Sequence, residues 1–276
     1  MPLWLDQVVL GAVDALYALQ RPVLPSRGQL AACRIASHRG ERDDRRVFEN
    51  TFAAFDGLRG SGVHGIEFDV RWTRDLVPVV FHDTDLRRLF DDPARIADLT
   101  WRELQQRRPE IPGLHAFVRR YADEFHLMAE VKHEPYPDPP LQSARLAEAL
   151  APALAQGRCT VLSLVPDMFG RLPDIPARAT MGVSRLNVDA ISAEALAQGR
   201  AGFSGHYAML GAARLAAHHA AGQVVGCGFP ASRPVFYRQA ARGVDWVFTN
   251  LARQAEGWRQ EGLAQHAAAG SPSPRG

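Results

Sequence analysis

Val63-His64-Gly65-Ile66-Glu67-Phe68-Asp69-Val70 is followed, after the seven residues Arg71 to Val77, by Pro78-Val79-Val80-Phe81-His82. The spacing between these apolar runs decides the topology. A parallel neighbour requires a crossover of about a dozen residues or more, which seven cannot supply. The second run therefore reads as a hairpin-like extension of the first. Along an extended strand residues two apart share a face, so Glu67 and Asp69 point together while Ile66, Phe68 and Val70 point the other way.

Working outward, strands are expected at 32–37, 63–70, 78–82, 126–132, 159–165, 178–183, 203–209, 223–229 and 244–249. Setting the hairpin run aside leaves eight, most of them followed by helical stretches such as 51–60, 141–155, 192–198, 211–221 and 232–242. This alternation predicts an α/β fold with a parallel sheet, a (β/α)8 TIM barrel with an extra N-terminal helix and the hairpin-like extension after the second strand. The 276 residues and 46% hydrophobic content suit one large core. Three domain-level segments are expected: a helical extension over 1–31, the barrel over 32–266, and a disordered tail over 267–276.

A net charge of +2 argues against nucleic acid as a partner. The three cysteines, Cys33, Cys159 and Cys227, are far apart in predicted strands and read as buried free thiols. Near the N-terminus Leu3, Trp4, Leu5, Val8, Val9, Leu10, Val13, Leu16, Tyr17 and Leu19 form an apolar segment broken by Asp6 and Asp14. It has neither the unbroken length of a membrane span nor the basic start of a signal peptide. Two readings follow: a helix packed under the barrel, or an interfacial helix giving peripheral membrane contact. A cytoplasmic location is expected.

The chemistry-bearing residues lie between His38 and Asp83, with one later group. They read His38-Arg39-Gly40, Glu49-Asn50-Thr51, Glu67-Phe68-Asp69, His82-Asp83, and then Met128-Ala129-Glu130-Val131-Lys132. In a barrel the Glu67/Asp69 and Glu130/Lys132 pairs reach the C-terminal ends of their strands, the face where barrel enzymes place their chemistry. Glu67, Asp69 and Glu130 on one rim repel one another unless a cation or protons relieve them. An all-oxygen ligand set favours Mg or Ca, with Mn also compatible. The chain has 32 basic residues, and Lys132 is its only lysine. Arginine is larger and forked, so retention of a compact ammonium there points to contact with a single oxygen. Asn50, just before a predicted helix, is explained as well by capping as by substrate contact; Gly40 reads as a backbone-geometry residue. His206 lies near a predicted strand end and is a further, weaker candidate for the site. His64, His115, His126, His133, His218 and His219 read as structural.

The order His-Arg, Glu-Asn, Glu-x-Asp, His-Asp and Glu-x-Lys resembles the glycerophosphodiester phosphodiesterase family, from about Ile35 to Asn250. The resemblance implies a metal-dependent phosphodiesterase that releases glycerol 3-phosphate and an alcohol from a small glycerophosphodiester. It implies a divalent cation at Glu67, Asp69 and Glu130, charge neutralisation by Arg39 and Lys132, and His38 and His82 as the acid/base pair, with His82 the expected acid. Glu49 would orient His38 or bind the glycerol moiety. Phe48 stands where the family usually has proline, and the loop Glu41 to Phe48 is unusually charged. The competing readings are a sphingomyelinase D-like or lysophospholipase D-like phosphodiesterase, and an inactive barrel that binds phosphodiesters.

Overall fold

The computed structural model describes residues 13–269. Nine strands are present among them: β1 Arg34–His38, β2 Gly65–Trp72, β3 Pro78–Val80, β4 His126–Val131, β5 Cys159–Ser163, β6 Thr180–Val183, β7 Gly202–His206, β8 Val224–Gly228 and β9 Trp246–Thr249. Eight are parallel in the order β1-β9-β8-β7-β6-β5-β4-β2, and a β1–β2 pairing closes the barrel. β3 runs antiparallel to β2, with Val70 opposite Val80, as the seven-residue spacing requires. The seventh strand is shorter than expected, because Tyr207–Met209 turns into a 3-10 helix. Cys33 lies just outside the first strand, capping the helix Arg27–Ala32. All three cysteines are buried and free.

β2 is buried along its whole length because the barrel covers both of its faces. Ile66, Phe68 and Val70 pack outward into the layer shared with the helices. A separate cluster of Ala36, Met128, Leu162, Met181, Trp246 and Phe248 fills the barrel interior. Glu67 and Asp69 have the opposite phase to the outward apolar residues, so they reach the inner face at its C-terminal end. β3 and the chain between it and β4 form a third core from Val79, Phe81, Leu86, Ile96, Leu104 and Ile111. That core fixes the base of the excursion that carries His82.

Of the expected N-terminal helix only residues from 13 onward are described, and these lie at the C-terminal rim of the barrel. Residues 13–18 are helical. Asp14 Oδ1 accepts a hydrogen bond from the Ala231 amide at 2.9 Å, and Tyr17 packs edge-on against Tyr207 at 5.2 Å. Both contacts lie in loops after β7 and β8, at the catalytic end of a TIM barrel. Asp14, one of the residues that breaks the apolar pattern, is the anchor. Residues 1–12, which hold most of the apolar segment, lie outside the described residues. At the other terminus the helix Ala252–Ala269 continues past the expected tail boundary at 267, and 270–276 lie outside the described residues. No helix among those described is long and apolar enough to cross a membrane.

Candidate active site

Parallel pairing sets the first part of the site. The register places His38 beside Glu67 and Asp69 beside Glu130. One oxygen from each of Glu67, Asp69 and Glu130 falls within 4.8 Å of the others, and all three residues are buried. Lys132 Nζ is 2.5 Å from Asp69 Oδ1 and also donates to Glu130 Oε1. Arg39 Nε is 3.0 Å from Asp69 Oδ2.

Asn50 completes the set around Asp69. Its Nδ2 donates to Asp69 Oδ2 at 2.7 Å, and its Oδ1 accepts from the Asp69 amide at 3.3 Å. The helix cap is Thr51, which accepts from the Ala54 amide. Asn50 is therefore a clamp on a buried carboxylate.

The electrostatics of the three acids diverge. Burial opposes ionisation of Asp69, but Lys132 and Arg39 outweigh it and hold the carboxyl well below its ordinary range. Glu67 goes the other way, raised well above its usual value by burial and by the charges of Asp69 and Glu130. Its Oε2 has no hydrogen-bond partner among the described residues; the nearest ring nitrogen is His38 Nε2 at 3.8 Å. Three oxygen donors converge on a point where one carboxylate is unsatisfied. That donor set fits a hard divalent cation.

The two histidines hold different kinds of partner. His38 Nδ1 lies 2.8 Å from Asn250 Oδ1, an amide. Burial and the charge of Arg39 push the His38 pKa well below that of a free imidazole, which favours the neutral ring. His82 Nδ1 lies 2.6 Å from Asp83 Oδ1. Burial would raise the Asp83 carboxyl, but hydrogen bonds from His82 and Arg88 dominate and hold it at about 2. The carboxylate is thus ionised, and His82 Nδ1 donates to it. The His82 carbonyl is in turn held by Arg71 Nε at 2.7 Å, and Arg71 is paired with Glu134.

At the end of β1 the chain turns through two left-handed residues, Arg39 at φ 61° and Gly40 at φ 84°. A Cβ on Gly40 would sit 2.6 Å from Ala54 Cβ, so conformation and space both require glycine. Arg39 adopts this conformation without being glycine, an energetic cost of the kind that collects at functional sites.

His38, Arg39, Glu67, His82, Glu130 and Lys132 all line one cavity of about 400 Å³. Its remaining wall is largely apolar, with Leu162, Leu164, Val183, Phe229 and Phe248. A neighbouring cavity of about 620 Å³ shares His82, Glu130, Lys132 and Arg185 and adds Arg71 and His133. Asp69 is fully buried beneath the floor. His206 joins the cavity wall, and its Nε2 has no hydrogen-bond partner among the described residues.

Glu49 pairs with arginines and not with His38. It is buried among Arg39 at 3.2 Å, Arg42 at 3.3 Å and Arg88, while Asn250 holds His38. Sequence reasoning also missed Arg42, Arg88 and Arg71. The only advance signal among them was the unusual charge of the 41–48 loop, which contains Arg42.

Fold and rim together define a TIM barrel with a buried carboxylate cluster and two partnered histidines in one cleft. Residues 38–168, which contain every motif quoted above, match the Glycerophosphoryl diester phosphodiesterase family; over that segment the chain is GDPD-like, within a TIM barrel. Among curated proteins it is 36% identical over 112 residues to glycerophosphodiester phosphodiesterase 1 of Rattus norvegicus, covering 41% of this chain and 31% of that protein. It is 38% identical over 72 residues to a glycerophosphodiester phosphodiesterase of Caldanaerobacter subterraneus, covering 26% and 29%. The chain thus spans about a third of the length of these relatives. Among solved structures, the glycerophosphodiester phosphodiesterase of Agrobacterium tumefaciens shares the fold with a TM-score of 0.67 at 22% identity, over 81% of this chain and 99% of that one. An Oleispira antarctica phosphodiesterase, solved in complex with its product sn-glycerol-3-phosphate, has a TM-score of 0.69 at 21% identity, over 82% and 96%.

Proposed function

We propose that this protein hydrolyses small glycerophosphodiesters to glycerol 3-phosphate and an alcohol, with a divalent cation held by Glu67, Asp69 and Glu130. The observation that carries the reading is the unlike pairing of the two cleft histidines, His38 on a neutral amide and His82 on an ionised carboxylate. A phosphodiester carries a negative charge that repels nucleophiles, and its alkoxide leaving group is poor. Catalysis therefore needs positive charge near the phosphoryl oxygens, a base for the nucleophile and an acid for the leaving group. A bound cation supplies Lewis-acid charge neutralisation at the phosphoryl oxygens.

The chain's own groups supply the rest. Lys132 and Arg39 add fixed positive charge at the cavity wall. His38, donating through Nδ1 to Asn250, keeps Nε2 free to take a proton from the attacking group. His82, with Nδ1 on Asp83, presents Nε2 to give a proton to the departing oxygen. The apolar wall excludes water, and in that setting these charges act more strongly than in bulk solvent. Both histidines, all three acids and the lone lysine gathered at one cleft favour an active enzyme over an inactive binding barrel. The Oleispira phosphodiesterase with sn-glycerol-3-phosphate gives the glycerol 3-phosphate moiety added support as the part of the substrate that binds.

The test is a metal-supplemented assay across several glycerophosphodiesters, with glycerol 3-phosphate as readout, in wild type, His38→Ala and His82→Ala. Both variants should lose most of their kcat with little change in KM. A substrate whose leaving group needs no proton should restore His82→Ala alone. Turnover by neither enzyme nor metal-loaded enzyme on any diester would overturn the function; rescue of His38→Ala alone would reverse the roles.

A further inference from the structure

The charged loop at 41–48 and the arginine at 88 lie outside the catalytic motif, yet they contact the partners of both histidines. We infer that Arg42 and Arg88 are positioning residues that set which ring nitrogen of His38 and of His82 carries a proton, and that Glu49 holds the two arginines in place. The inference rests on the reading of these histidines as an acid/base pair.

An arginine side chain has hydrogen-bond donors and no acceptor. Arg42 Nη2 donates to Asn250 Oδ1 at 3.2 Å, the same oxygen that lies 2.8 Å from His38 Nδ1. Were the Asn250 amide turned over, its NH2 would face the guanidinium donor. The cation therefore fixes the oxygen in place, and an oxygen at that position makes His38 Nδ1 the donor. Nε2 is left bare on the side of Glu67. Arg42 Nη1 also donates to the His38 carbonyl at 2.5 Å and to the Gly40 carbonyl at 3.2 Å, so the guanidinium holds backbone and ring partner together.

Arg88 does the corresponding work for the second histidine. Its Nε donates to Asp83 Oδ2 at 2.6 Å, which leaves Oδ1 to accept from His82 Nδ1. Glu49 joins the two halves: Oε2 lies 3.3 Å from Arg42 Nε, and Oε1 accepts from Arg88. At 3% side-chain exposure this carboxylate is a buried anion that requires cations, so each arginine is held by a partner that depends on it.

The rest of the loop is built to support this. Asp43 Oδ1 accepts from the amides of Arg45, Arg46 and Val47, which closes a tight turn. Phe48, the departure from the family's proline, packs on Phe90 at 4.9 Å and docks the loop on the helix Arg87–Phe90 that carries Arg88. Arg45 and Arg46 on the same loop are exposed and have no part in the clasp. They separate the effect of position from that of net charge.

The test is imidazole nitrogen NMR on the uniformly 15N-labelled full chain, with steady-state kinetics alongside. In wild type, His38 should show a protonated Nδ1 and a bare Nε2. Arg42→Ala should convert His38 to a mixture of tautomers, and Arg88→Ala should weaken protonation at His82 Nδ1. Each should lower kcat on the order of 10-fold to 100-fold, with KM held within about twofold, as expected of misplaced catalytic groups. Arg45→Ala should change neither.

The losses should also be non-additive. Arg42→Ala should cost nothing further in His38→Ala, nor Arg88→Ala in His82→Ala. Arg42→Lys and Arg88→Lys, which keep a donor-only cation, should recover part of the wild-type spectrum and rate; they serve if the alanine variants fold poorly. Wild-type tautomers in Arg42→Ala and Arg88→Ala, or undiminished losses in the histidine-free backgrounds, would overturn the inference. Retained activity in both histidine variants would instead refute the acid/base reading, and the spectra would still decide the positioning role.

Discussion

Replacing Lys132 tests the electrostatic logic of the cleft without reference to substrate. Its ammonium lies between Asp69 Oδ1, at 2.5 Å, and Glu130 Oε1, and it is 7% exposed. Lys132→Met keeps the stem but removes the charge, leaving Arg39 as the nearest cation to three buried carboxylates. Removing one partner from a buried ion pair costs about 3–5 kcal/mol, because the remaining charge stays buried. At about 2–4 °C per kcal/mol for a chain of this size, Tm in chelator should fall by roughly 6–20 °C. A divalent cation at about 100 times its dissociation constant should return about 2.7 kcal/mol by mass action. The variant should also bind that cation more tightly than wild type does, since the competing ammonium is gone.

Differential scanning calorimetry of wild type, Lys132→Met and Lys132→Arg, each in chelator and in Mg, Ca or Mn, measures these terms. Lys132→Arg should stay folded but lose most of its activity, because a planar fork cannot occupy the point between two carboxylates that the ammonium fills. An unchanged Tm for Lys132→Met in chelator would refute the claim that the lysine neutralises the cluster. Full activity of Lys132→Arg would show that its isolation among 32 basic residues has no chemical cause.

Two further outcomes follow from other parts of the fold. His64, whose pKa burial and then Arg259 and Arg34 lower to about 4, and His126, lowered to about 4 by burial and then Arg34 and Arg158, should make stability pH-dependent. As pH falls below 6.5 the unfolded chain takes up their protons while the folded chain does not. Stability should therefore fall between pH 6.5 and about 4, by at most about 1.4 kcal/mol per pH unit for each ring, and level off below. Urea unfolding of wild type and His126→Phe across that window checks this; an equal slope in the two proteins would count against it. Gly40→Ala should cost roughly 2–5 kcal/mol, from a left-handed φ and a Cβ forced against Ala54, and should lower kcat by displacing Arg39. A variant with wild-type Tm and kcat would show that the turn is freer than its contacts imply.

The sequence by itself determined the barrel and most of the cleft. Seven residues between two apolar runs excluded a parallel crossover, and the period of two placed Glu67 and Asp69 on the face opposite Ile66, Phe68 and Val70. These are local properties of an extended chain, and covalent geometry suffices to read them. The tertiary structure alone decided what each polar group touches. Asn50, itself left-handed at φ 60°, clamps Asp69 on a neighbouring strand where a local reading allowed a helix cap. Asn250 holds His38 across a separation of 212 residues, and Glu49 binds three arginines in place of His38. Residues 13–18 lie at the rim, where Asp14 accepts from the Ala231 amide, a contact that the apolar pattern of the segment does not specify. Hydrophobic patterning says which face is buried, since burial depends on the residue's own type and phase; a hydrogen bond depends on which partner the fold brings within about 3 Å, and the chain's local pattern does not contain that distance.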